Sequence, residues 1–293
     1  MFEGFETHDV DAGEATIHAV VGGSGPPVLL LHGFPQTHAM WHAVAPRLAE
    51  RFTVVAADLR GYGDSSKLPG GPHHAAYAKR AMATDMVRLM EHLGFGRFCL
   101  AGHDRGGRVA HRLALDHPGR VERLALLDIV PTATAYAATD RAFATGYYHW
   151  FFLIQPHPLP ETLIGAAPIA YLHAKLGRWG GALERFPPEV LAEYERCIQD
   201  PATIHAMCED YRAAASIDLE HDAADGDARL ACPLLVLWGE QGLMHRLFDV
   251  PATWREKHAN PALIEDRVIA CGHYLPEEAP QAVADALLGF FQH

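Results

Sequence analysis

Gly102-His103-Asp104-Arg105-Gly106 places an aspartate between two glycines at the spacing of a nucleophile elbow. Glycines so placed allow a strained strand-to-helix turn that lifts the middle side chain above a sheet. No Gly-x-Ser-x-Gly occurs in the chain, so the candidate nucleophile is a carboxylate. A carboxylate attacks carbon directly and gives an alkyl ester of the enzyme, which water must then hydrolyse. An aspartate can also merely cap a helix, so its companions decide the matter. The elbow arrangement runs nucleophile, acid, histidine along the chain. Asp128 follows the apolar run Leu124–Leu127, and His273 follows Val268-Ile269-Ala270 in Cys271-Gly272-His273-Tyr274. His273 would activate water, and Asp128 would hold its tautomer and stabilise the imidazolium. Glu240, in Gly239-Glu240-Gln241-Gly242, is a rival acid, but its surroundings also read as an ordinary turn. After the run Val28–Leu31, the segment His32-Gly33-Phe34-Pro35 could offer the N–H of Phe34, which with that of Arg105 would form an oxyanion hole. Arg105 and Arg108 are three apart at a helix start and so share a face. Two guanidiniums at a helix N-terminus, beside a nucleophilic aspartate, make a clamp for a second carboxylate. The alternative is that one of them only pairs with an acid such as Asp210.

These residues need a scaffold, and the rest of the sequence describes one. Continuous apolar runs at 28–31, 52–57, 98–101, 124–127 and 234–237 fit strands buried on both faces of a parallel sheet. Ala15–Val20 reads as a further strand, closed by the turn residues Gly22–Pro27. Helical periodicity separates the runs, as in Ala81, Met82, Met86, Leu89, Met90 and Leu93, with Gly94 as the stop. Alternating strand and helix predicts an α/β fold with helices on both faces of the sheet. The alternation breaks between 131 and 227, an aromatic-rich helical stretch interrupted at Pro156, Pro158, Pro160, Pro168 and Pro187-Pro188. This reads as a helical cap inserted between core segments 1–130 and 228–293, the latter ending in a helix from Pro276 to Phe291.

Composition excludes several classes. The 293 residues carry a net charge of -12, which argues against nucleic acid and against an anionic membrane surface as partners. No apolar run reaches the ~18 residues of a membrane span. The first twenty residues are acidic and lack a secretory pattern, so a cytoplasmic location is expected. The five cysteines form no C-x-x-C pair and read as reduced thiols rather than a zinc site.

The chain resembles the α/β-hydrolase superfamily, and within it the fluoroacetate (haloacetate) dehalogenases. The resemblance rests on Leu31–His38, Ala57–Gly63, Gly102–Val109, Leu127-Asp128-Ile129, His149-Trp150, Cys208–Arg212 and Gly272-His273, and covers essentially the whole chain. The early motifs are shared with epoxide hydrolases and haloalkane dehalogenases; Asp-Arg-Gly-Gly-Arg with the cap residues is narrower. It implies an α/β-hydrolase fold, a small anionic 2-haloacid as substrate, neither metal nor organic cofactor, and a homodimer. It also implies that His149, Trp150 and Tyr211 surround the departing halide, each side chain being a hydrogen-bond donor. An epoxide hydrolase with the same Asp–His–Asp logic is the runner-up, recruiting Tyr211 with Tyr147 or Tyr148. A non-catalytic, ligand-binding relative is the alternative from another class.

Overall fold

The computed structural model describes residues 1–179 and 183–292. Strands β1 (Glu6–Asp11), β2 (Thr16–Gly23), β3 (Pro27–Leu31), β4 (Thr53–Ala57), β5 (Phe98–His103), β6 (Val121–Leu127), β7 (Leu234–Gly239) and β8 (Ile264–Ile269) form one sheet. Their order is β1-β2-β4-β3-β5-β6-β7-β8. From β4 to β8 all neighbours are parallel, while β1 and β2 add an antiparallel edge. The five apolar runs are β3 to β7, and β5 and β7 are buried at every position. Helices on both faces force that composition, because neither side of a central strand meets water. β1, with the sequence Glu-Thr-His-Asp-Val-Asp, buries only Val10 and has no apolar run to betray it.

Register sets the site. Leu31 pairs with Gly102, His103 with Leu127, and Leu127 with Leu237. The carboxyl ends of β3, β5, β6 and β7 are therefore level, and the residues just beyond them share one rim, where open parallel sheets bind ligands.

Between β6 and β7 the chain is helical, from Thr132–Ala137 to Ile217–Asp225. The prolines stand where this stretch is interrupted, Pro156 and Pro158 between the helices Tyr148–Leu153 and Leu159–Gly165, and the others at or just before the start of a helix. Pro160, Pro168 and Pro188 each lie in a first turn, where the missing N–H costs nothing. The closing helix is two pieces, Leu275–Glu278 and Pro280–Phe291. Pro280 drives the preceding Ala279 out of the helical region, to φ -138° and ψ 52°. No helix among the described residues is long and apolar enough to cross a membrane.

Candidate active site

β5 ends at His103, and Asp104 opens the helix Asp104–Asp116 with φ +46°. Left-handed backbone at a non-glycine residue persists only where the surroundings hold it. Here the space is closed by backbone. A Cβ on Gly106 would lie 2.3 Å from the His32 carbonyl, and one on Gly33 would lie 2.5 Å from Asp104 Cβ. Gly106 N–H also donates to His32 O at 2.8 Å, fixing the helix start against the β3 loop. The side chain of Asp104 thus stands above the sheet, only 6 % exposed.

The other two members of the expected triad meet it on the rim. His273 Nδ1 is 2.6 Å from Asp128 Oδ2, and Gly239 N–H donates to Asp128 Oδ1 at 3.0 Å. Asp128 is itself left-handed, at φ +52°, one residue beyond β6. Glu240, the rival acid, is exposed. His273 Nε2 stands 4.0 Å from Asp104 Oδ2, a gap that one water can bridge. Phe34 N–H donates to Asp104 Oδ1 at 3.0 Å. One carboxylate oxygen is therefore held by backbone and the other faces the histidine.

Electrostatics favour this division of labour. Burial alone would raise the Asp104 carboxyl, but His273, Arg105 and Arg108 outweigh it and hold Asp104 below the usual carboxylate range. Burial alone would lower His273, but its hydrogen bond to Asp128 and the two nearby carboxylates raise it above its ordinary value. Asp104 is thus held as a carboxylate and His273 is made more basic.

Arg105 and Arg108 both lie inside, 0 % and 3 % exposed, but they differ in their partners. Arg105 is gripped by the cap. Its Nε and Nη2 donate to Asp210 Oδ2 and Oδ1 at 2.8 and 2.7 Å, and Nη2 also reaches the Asp210 carbonyl at 2.8 Å. Asp210 further accepts from Tyr62 Oη at 2.7 Å and from Lys79 Nζ. The pairing with Asp210 weighed as an alternative to the clamp is thus present, and it leaves Nη1 of Arg105 buried with no partner among the described residues. Arg108 donates Nη1 to Val130 O and Thr132 Oγ1, both at 3.0 Å, and its Nε has no partner there. Burial and the charge of Arg105 lower Arg108 against the pull of Asp104. A guanidinium so placed gains from any anion that enters.

The three aromatic cap residues lie on these same groups. The Tyr211 ring lies 4.2 Å from the guanidinium carbon of Arg105, and Trp150 lies 4.7 Å from that of Arg108. Phe34 stacks on His149 at 5.4 Å. Expected as three independent donors, they are not equivalent. His149 Nε2 and Tyr211 Oη are bonded to each other at 3.1 Å, while Trp150 Nε1 is buried without a partner among the described residues. Burial and nearby cations push His149 well below its ordinary value, so it is a neutral ring. Of the tyrosines considered for epoxide opening, Tyr147 is buried and feels the charges of Asp128 and Asp104. Tyr148 instead carries Lys175 Nζ 3.5 Å above its ring.

Sequence reasoning missed Lys79, Tyr62 and Thr132, which position the two arginines. Nothing in spacing announces them, because each acts through a contact between distant segments.

Residues 26–280 match the family model described as alpha/beta hydrolase fold. A fluoroacetate dehalogenase from Burkholderia sp. is 50% identical over 99% of this chain and 95% of its own length. A soluble epoxide hydrolase from Corynebacterium sp. (strain C12) is 38% identical over 94% of this chain and 93% of its own length. Among solved structures, an alpha/beta hydrolase from Nostoc sp. PCC 7120 superposes with a TM-score of 0.98 at 58% identity, covering 100% of both chains.

Proposed function

The chain belongs to the alpha/beta hydrolase fold family, and from that premise we propose that it hydrolyses the carbon–halogen bond of a small 2-haloacid, turning fluoroacetate or chloroacetate into glycolate and halide. The observation that carries the proposal is the pair of buried arginines. Arg108 lies beside the ionised Asp104 with no carboxylate in ion-pair contact among the described residues, and Arg105 keeps one nitrogen unpartnered. An uncharged epoxide or haloalkane has no use for them, whereas a carboxylate satisfies both. The 50% identity to the Burkholderia fluoroacetate dehalogenase supports the same reading.

The substrate carboxylate binds between Arg105 and Arg108, which brings the α-carbon against Asp104. Oδ1 is tied to Phe34 N–H, so Oδ2 attacks. The new C–O bond forms as the carbon–halogen bond breaks, and the halide leaves with the bonding pair. Positioning of this kind is worth up to about 7–11 kcal/mol of barrier in favourable cases. Fluoride needs a replacement for its strong hydration shell, and donors from Trp150 and Tyr211 supply it, with His149 acting through Tyr211. If His149 carries its proton on Nε2, it donates to Tyr211 Oη and leaves the phenol O–H for the halide. His273 then removes a proton from water, and the hydroxide attacks the Asp104 carbonyl carbon. The N–H groups of Phe34 and Arg105 hold the resulting oxyanion. Collapse breaks the bond to the glycolate oxygen, which takes the proton held by His273, and the Asp104 carboxyl then releases the second water proton to solvent, restoring the carboxylate.

One turnover in heavy-oxygen water tests this route. The label is expected in Asp104 first and in glycolate only after later turnovers. Label appearing directly in first-turnover glycolate overturns the ester. The epoxide-hydrolase alternative has in its favour the buried Tyr147, which feels the charges of Asp128 and Asp104, and the 38% identity to the Corynebacterium epoxide hydrolase; parallel assays on fluoroacetate and styrene oxide separate the two. The homodimer belongs to the same proposal and is tested by light scattering.

A further inference from the structure

A second group of donor atoms sits on the cap surface. His157, Glu161 and His205 each present one ligand atom, and the three atoms lie within 4.8 Å of one another. His157 Nδ1 is 3.3 Å and His205 Nδ1 is 3.1 Å from the same oxygen, Glu161 Oε1. A tetrahedral zinc ion with bonds of about 2.0–2.1 Å separates its ligand atoms by about 3.3 Å. The two measured separations are thus already close to the edges of such a tetrahedron. The side chains come from two elements, the start of the helix Leu159–Gly165 and the helix Pro201–Ala214. Both histidines are reachable from solvent, at 63% and 34% side-chain exposure.

The carboxylate is held in place before any ion arrives. Arg212 Nη1 and Nη2 donate to Glu161 Oε1 and Oε2 at 2.7 and 3.1 Å. Arg212 is also shared with Glu209 Oε1 at 2.8 Å. Two carboxylates against one guanidinium leave the neighbourhood negative, which offsets the repulsion between Arg212 and an incoming cation. The other His-rich cluster, His18, His38 and Asp58, offers no such opening. There Asp58 and His38 are both buried, at 0% and 8% exposure, whereas both histidines of the cap cluster reach solvent.

We propose that His157, Glu161 and His205 bind one first-row transition-metal dication, zinc fitting best, with water in the fourth position. Neutral imidazole and carboxylate donors suit that class of ion. The ion clips the 157–161 segment to the Pro201–Ala214 helix, which carries Asp210 and Tyr211, and so stiffens the cap from outside. It takes no part in the chemistry at Asp104, and the site stands whether or not the activity is as proposed.

The test uses the full chain, stripped with a chelator and titrated with Co2+, followed by Zn2+ competition. One equivalent of Co2+ with the visible absorption of a tetrahedral site is expected, displaced by Zn2+. His157→Ala and His205→Ala should each weaken binding at least tenfold. Zn2+ should raise the thermal midpoint of the parent protein and leave both variants unmoved, while circular dichroism confirms that they fold. Absence of the tetrahedral bands, or Co2+ binding changed less than tenfold in both variants, overturns the proposal.

Discussion

Asp210 of the cap holds Arg105 of the elbow helix by two side-chain hydrogen bonds, of 2.8 and 2.7 Å, with both groups fully buried. The pair fixes the guanidinium plane beside the nucleophile and leaves only Nη1 to a ligand. On the proposed reaction, specificity for an acid then depends on a cap residue that acts through Arg105. Asp210→Asn should raise KM for haloacetates at least tenfold, with a smaller change in kcat. It should also destabilise the fold by about 3–5 kcal/mol, because a buried cation loses its partner. Steady-state kinetics and thermal unfolding check the two effects separately.

Arg108 has the opposite character. It has no carboxylate in ion-pair contact among the described residues, and burial beside Arg105 disfavours its charge. Arg108→Leu should abolish haloacetate turnover, by at least 100-fold in kcat/KM, without the stability loss of the Asp210 variant. Halide release from fluoroacetate and chloroacetate reads the first, and a melting curve the second.

His273 must be neutral to take a proton from water, and its pKa lies above 6.5 because Asp128 and Asp104 outweigh burial. Activity should thus fall as pH drops through that raised value, giving a limb on the alkaline side of 6.5. Asp128→Asn removes the main raising influence, so the limb should move to lower pH while kcat drops by roughly 10⁴-fold. His273→Ala should stop the reaction at the ester. Intact-protein mass spectrometry should then find one carboxymethyl adduct per chain, on Asp104.

Trp150 Nε1 is buried with no hydrogen-bond partner among the described residues, whereas His149 and Tyr211 already bond to each other. Trp150→Phe keeps most of the packing over Arg108 and removes the N–H. Fluoride depends most on hydrogen-bond donors, so C–F cleavage should lose about 10²-fold while C–Br cleavage changes far less. The ratio of the two rates in one variant is the measurement.

The rim of the sheet was legible because short-range rules govern it. The run Phe98–Ala101 announces a strand buried on both faces, and the two glycines after it announce the turn that exposes Asp104. Asp128 and His273 follow from the same logic of strand ends. What lay beyond reach was pairing across long separations. Lys79 and Asp210, or His149 and Tyr211, are brought together by the way the cap sits on the sheet, which no local period encodes. The polar β1 was invisible for a related reason. Its hydrogen bonds to β2, not an apolar face, make it a strand. The cap prolines mark the breaks between helices, and three of them also begin the next helix, a role that a proline in the sequence does not distinguish from breaking one.

Glu277 lies four residues after His273 and is buried against two other segments. Its Oε1 accepts from Tyr194 Oη at 2.5 Å and from Gln36 Nε2 at 3.2 Å. Gln36 stands two residues after Phe34, and Tyr194 belongs to the cap helix Pro188–Ile198, so the carboxyl joins the oxyanion loop, the cap and the histidine loop. Burial raises Glu277 from 4.5 to about 8, against the lowering effect of its two hydrogen bonds. In the folded chain it is protonated at neutral pH, whereas in the unfolded chain it ionises near 4.5. Between those values the folded state holds the extra proton, so raising the pH lowers stability across that window and no further above about 8. At 1.36 kcal/mol per unit, the loss over the window amounts to a few kcal/mol. Glu277→Gln keeps the shape and an acceptor for Tyr194 and removes the titration. The variant should be no more stable than the parent at pH 4.5 and clearly more stable at pH 8. Urea unfolding at a series of pH values reads the difference directly, and parallel curves for the two proteins would show that Glu277 does not carry it.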